Sequence, residues 1–118
     1  MVTEQVKGGL APRPGFEPHS ITVIGREWRD RQAGNTYHSI TILVNGHFVG
    51  PTREHGETMS YGGDSMYEES AAEWLEKEGY IQRVRYSSGG KQTLWRYCEE
   101  HGITYYRTSV PVSRRKDL

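Results

Sequence analysis

Among 118 residues the chain has one cysteine, Cys98, which excludes an intramolecular disulfide and, with it, a disulfide-stapled scaffold. No apolar run approaches the roughly 18 residues that a membrane-crossing helix needs. The N-terminal stretch also lacks the basic-then-apolar order of a signal peptide. A soluble, cytoplasmic protein with no membrane partner is therefore expected. Net charge is missing as well: 15 Lys and Arg balance 15 Asp and Glu, which argues against a protein that coats nucleic acid by bulk charge. With 34% hydrophobic residues there is material for one core, and the chain is too short for two domains of ordinary size.

The charge balance conceals a gradient. From Asp64 to Glu78 there are six acids against one base, Lys77, whereas from Tyr80 onward eight bases stand against Glu99, Glu100 and Asp117. Arginine outnumbers lysine by 11 to 4, and the guanidinium fork stacks on aromatic rings and chelates carboxylates or phosphates as an ammonium cannot. Eight tyrosines and three tryptophans add flat, amphipathic surface.

Three segments follow. Residues 1–18 hold Gly8-Gly9, Pro12, Pro14 and Pro18, a composition that breaks regular structure and reads as a flexible arm. Residues 19–112 read as a single α+β domain with a mainly antiparallel sheet and two helices packed on it, in the order β-β-β-α-β-α-β. Residues 113–118 form a basic tail. Within the domain, Ser20 to Arg26 reads as a strand and Arg29 to Asn35 as a polar loop. Thr36 to Val44 is a strand with His38, Ile40, Ile42 and Val44 on its core face and Tyr37, Ser39, Thr41 and Leu43 on the other.

Asn45-Gly46 before His47-Phe48-Val49 predicts a type I′ hairpin, whose two central residues need positive φ. Pro51 to Glu57 is a polar loop, and Thr58 to Tyr61 an added extended piece. A helix capped by Asp64 or Ser65 runs to about Glu78 and stops at Gly79. Its expected buried stripe is Tyr67, Ala71, Trp74 and Leu75 with Met66, and its acids face water. Tyr80 to Tyr86 reads as a strand. Lys91 to His101 is a second helix packing through Leu94, Trp95, Tyr97 and Cys98, and Ile103 to Val112 is a strand that Pro111 confines to an edge.

Gly25-Arg26-Glu27-Trp28, then Gly34-Asn35-Thr36-Tyr37-His38-Ser39, the hairpin, and Tyr61-Gly62-Gly63-Asp64 before a helix together resemble a group of small, largely uncharacterised proteins of tailed bacteriophages. The resemblance spans about residues 21 to 78 and brings no catalytic residue with it. It implies a viral setting, the host cytosol as compartment, and host-directed roles such as inhibiting a nuclease, sequestering a defence signal or supporting phage DNA metabolism.

Adjacent strand residues point to opposite faces, so His38 and Ser39 cannot form a nucleophile and base pair with one another. His38 reads either as a hydrogen-bonded histidine at the core edge or as a ligand contact, while Trp28 and Tyr37 offer rings on which bases stack. Ser88-Gly89-Gly90-Lys91-Gln92-Thr93 places glycines before a lysine at an expected helix start, where unpaired amides favour anions. It fails as a Walker motif because Arg85 stands where a glycine is required. Arg83 and Arg85 on the preceding strand would complete a phosphate site. The histidines His19, His38, His47, His55 and His101 show no His-Glu-x-x-His spacing, and Cys98 with His101 is half a site, so no metal and no cofactor are expected.

The leading expectation is a non-enzymatic binding protein. It engages a nucleotide, a nucleic acid or a host defence protein through Trp28, Tyr37, His38, Tyr61, Arg83, Arg85 and Lys91. The alternatives are a small enzyme on a phosphorylated or nucleic-acid substrate with His38 or His55 as general base, and a structural phage component. A homodimer is compatible with all three, because an edge strand needs cover or pairing.

Overall fold

The computed structural model describes residues 5–7, 18–51 and 59–118. Among these residues, seven strands and two helices follow one another as β1 (Gln5–Lys7), β2 (Ser20–Asp30), β3 (Asn35–Val44), β4 (His47–Gly50), β5 (Ser60–Tyr61), α1 (Met66–Lys77), β6 (Val84–Tyr86), α2 (Leu94–Glu100) and β7 (Thr104–Val112), with a 3-10 turn at Arg115–Asp117. The class is α+β. Strands lie in the order β4-β3-β2-β7, with β5 also pairing to β3. The sheet is mostly antiparallel, but β7 runs parallel to β2, from Ser20 opposite Thr104 to Trp28 opposite Val112. Two short strands, β1 and β5, extend the expected order. β1 lies within the stretch read as an arm and pairs antiparallel with β6 in a separate two-stranded sheet.

The β2–β3 hairpin is longer than its apolar pattern suggests. Pairing continues from Ile21 opposite Val44 through Trp28 opposite Tyr37 to Asp30 opposite Asn35, which shrinks the expected polar loop to four residues. Asp30 closes that turn: its carboxylate accepts the Gln32 and Ala33 amides, and the Gly34 amide donates to the Asp30 carbonyl at 2.7 Å. At the other end Asn45 (φ 53°) and Gly46 (φ 81°) form the expected hairpin turn. The Asn45 side-chain oxygen also accepts the His19 and Ser20 amides, tying the turn to the first residues of β2.

One face of the sheet carries the core. Ile21, Val23, Ile40, Ile42 and Val44 pack against Tyr67, Ala71, Ala72 and Leu75 of α1 and Leu94, Tyr97 and Cys98 of α2. Gly25 lets α1 approach closely, since a Cβ there would sit 2.7 Å from the Tyr67 ring. Met66 and Trp95, expected in the packing stripes, lie outside them and are exposed. Trp74 is half-buried and stacks on Tyr80.

The expectation that the acids of α1 all face water is corrected by Glu76, which is 4% exposed. Its carboxylate is met by Arg83, 1% exposed, whose five N–H groups are all used. Nε donates to Glu76, Nη1 to Glu69 and the Gln92 carbonyl, and Nη2 to Glu69 and Glu76, at 2.8 to 3.1 Å. The Arg83 amide also donates to Glu76, so the backbone here satisfies a carboxylate rather than a sheet ladder. This is why the strand expected over Tyr80 to Tyr86 contracts to Val84–Tyr86.

Candidate ligand-binding face

Side chains on β2 and β3 alternate between two faces. The covered face includes His38, whose ring is 1% exposed. Its Nδ1–H donates to the Gly62 carbonyl and its Nε2 accepts from the Ser70 hydroxyl, both at 2.7 Å; this tautomer is the one that serves a carbonyl on Nδ1. His38 thereby pins the start of α1 and the loop before it to β3. The Ser70 and His38 pair has the heavy-atom spacing of a nucleophile and its base, yet the imidazole is sealed from solvent, and its geometry is that of a satisfied core histidine.

The opposite face carries Thr22, Ile24, Arg26 and Trp28 from β2, Tyr37, Ser39, Thr41 and Leu43 from β3, and Tyr106, Thr108, Val110 and Val112 from β7. None of these residues belongs to the buried core cluster that holds the helices. Across this open face three rings fall in register, because Trp28 pairs with Tyr37 and Tyr37 with Tyr61. The Trp28 and Tyr37 rings stack with centroids 5.8 Å apart and planes 22° apart. Tyr61 meets Tyr37 edge-on at 5.7 Å and is 67% exposed.

Beside Trp28 opens a cleft of about 800 Å³ lined by Trp28, Arg29, Arg31, Thr36, Val112 and Ser113, among others. No described side chain forms an ion pair with Arg29 or Arg31. Asp30 between them is committed to the turn amides. Ser39, one position from Tyr37 on the same face, is buried with its hydroxyl unpartnered.

The structure thus brings Trp28, Tyr37 and Tyr61 together and separates the other expected site residues from them. His38 points to the covered face. Arg83 is withdrawn from any surface by its two carboxylates. Arg85 belongs to β6 in the smaller sheet, opposite Val6, and bridges to Lys91. Lys91 does not open a helix. The Gly89-Gly90 turn is closed by the Tyr86 amide on the Gly90 carbonyl and returns the chain to Arg85. α2 begins three residues later, at Leu94, with Thr93 as its cap accepting the Arg96 amide. The Lys91 ammonium lies 3.7 Å from Glu73. The phosphate loop expected at Ser88 to Thr93 is therefore a hairpin-like turn. His55 lies outside the described residues.

Arg29 and Arg31 were hidden from sequence reasoning inside an assumed loop. The signal that would have found them is the strand pattern of Ser20 to Arg26, which continues without a break to Asp30 and sets Arg29, opposite Thr36, on the other face of β2 from Trp28, with Arg31 in the turn. Among the described residues no group of His, Cys, Asp and Glu could hold a metal ion, and no helix is long and apolar enough to cross a membrane. No family model matches the chain, and comparison with curated proteins and with solved structures returns no match.

Proposed function

We propose that the protein is a non-enzymatic binding protein that takes unpaired nucleobases, as a nucleotide or a single-stranded nucleic acid, on the row Trp28, Tyr37 and Tyr61. The observation that carries this reading is the registry of those three rings on one sheet face, beside a cleft whose lining includes Arg29 and Arg31, without an ion pair among the described residues, as well as Glu27 and Asp30. Each stacked base is worth about 1–3 kcal/mol and every base offers a π-face, so such a row favours single strands over particular sequences. Arg29 and Arg31 supply phosphate contacts, while the neutral chain adds no bulk attraction. In the phage setting that the resemblance implies, this is a host-directed activity that sequesters a nucleotide signal or shields a single strand.

The test is a fluorescence titration with a short single-stranded oligonucleotide, with Trp28→Phe identifying the signal among the three tryptophans. Tyr61→Ala should weaken binding about tenfold, the loss of roughly one stacked ring, and leave the melting temperature almost unchanged because Tyr61 is a surface side chain. With Arg29 and Arg31 as the two phosphate contacts, log affinity should fall against log salt with a slope of about −1.4, from roughly 0.7 per contact. A flat titration at low salt would remove nucleic acid as the ligand and turn the search to a host protein on the same face.

A further inference from the structure

β7 is the terminal strand of the five-stranded sheet, and among the described residues nothing pairs with its outer edge. Proteins blunt such edges with charged side chains, lysine above all, with bulges or with prolines. The run from Thr104 to Val110, Thr-Tyr-Tyr-Arg-Thr-Ser-Val, contains a single such device, Arg107, and Pro111 comes only at its end. That one charge is paired: Arg107 reaches Glu68 at 3.2 Å, with its own side chain 53% exposed. The rest of what the edge shows to solvent is β-forming side chains, with Tyr106 58% and Val110 44% exposed.

We propose that this edge pairs with a second copy of the chain, β7 against β7 about a twofold axis at Thr108. An antiparallel self-pairing keeps each face continuous only if a residue sits on the axis, because directly opposed residues share a face. An axis at Arg107 would set two guanidinium groups against each other. An axis at Thr108 sets threonine on threonine, a favourable cross-strand pair, and lays the exposed Tyr106 against the partner's Val110 and Val110 against the partner's Tyr106. Arg107 then faces the partner's Ser109 and keeps Glu68. Pro111 falls opposite the partner's Tyr105 and ends the ladder, confining it to Tyr106 through Val110. The contact is isologous and closes at two subunits. The two open faces fuse into one, and because Trp28 lies opposite Val112 at the far end of β7, the two aromatic rows stand at opposite ends of it.

Sedimentation equilibrium of the full chain across a wide concentration range tests this independently of any ligand. The expected species is twice the 13.5 kDa chain mass. Thr108→Lys, which opposes two ammonium groups at an exposed position, should raise the dimer dissociation constant at least about tenfold without changing the circular dichroism spectrum. Thr108→Cys should form an intersubunit disulfide under mild oxidation, faster than Arg107→Cys or Ser109→Cys. The native Cys98 is buried and adds no background. A monomer at every concentration, a dimer indifferent to Thr108→Lys, or faster crosslinking at either neighbouring position would each overturn the proposal.

Discussion

The two faces of the central sheet are built from the same strands and stabilised by different physics. On the covered side the fully buried polar side chains are answered: Arg83 spends all five donors, and His38 uses both ring nitrogens. On the open face aromatic rings lie half-exposed, and one buried hydroxyl, that of Ser39, goes unanswered. A face that must hold the fold tolerates no orphan, because a stranded buried charge costs several kcal/mol. A face that carries no helix accepts incomplete packing.

That contrast can be broken from the covered side first. Arg83→Ala should destabilise the protein by about 3–5 kcal/mol in denaturant unfolding, since it leaves the Glu76 carboxylate buried without its counter-charge. Loss of less than about 1 kcal/mol would mean that Glu76 reaches water in the variant and that the network is dispensable. Gly25→Ala, which drives a methyl group into the Tyr67 ring, should cost about 1–3 kcal/mol by overpacking, read as a lower denaturation midpoint.

Alkali separates the faces by titration. Burial pushes the Cys98 thiol from its ordinary 9.0 up to about 12. Burial likewise raises the Tyr67, Tyr97 and Tyr105 hydroxyls above 10.0, with the Glu68 carboxylate adding to the rise at Tyr67 and Tyr105. These groups ionise in the unfolded chain before they ionise in the folded one, so the unfolded state binds fewer protons at high pH. Their contribution is intact below about pH 9 and is lost as pH climbs toward 12. Unfolding followed from neutral to high pH should show stability falling from about pH 9 upward; a flat profile would mean that these side chains are open to water.

The smallest effect belongs to the open face. Ser39→Ala removes an unpartnered hydroxyl and should raise stability by about 1 kcal/mol. A loss of comparable size would show that the hydroxyl has a partner in solution.

Much of this division was legible in residue patterns. The Ile40, Ile42 and Val44 alternation marks the core side of β3, Asn45-Gly46 marks the turn, and Gly79 (φ 81°) marks the chain's exit from α1. The aromatic registry was only half legible. Trp28 and Tyr37 were assigned to one surface, but their direct opposition depends on how far the hairpin zips, which the turn chemistry of Asp30 decides. The Arg83 network was not legible, because nothing local distinguishes a buried arginine from a solvated one until Glu69, Glu76 and Gln92 converge from two other segments. For the same reason the basic cluster of Arg83, Arg85 and Lys91 looked like an anion site and resolves into a core ion pair, a small sheet and a turn.

The parallel pairing of β7 with β2 joins Ser20 to Thr104, residues near opposite ends of the chain. Closing that pair carries the entropy of a long loop, so the local β2–β3 hairpin should zip first and β7 dock late. Val112 and Ser113 line the cleft beside Trp28, so that wall is laid down only when the end of β7 docks. A chain whose β7 has not yet docked therefore displays the stacked rings without the wall next to them, and the cleft is complete only after that late step.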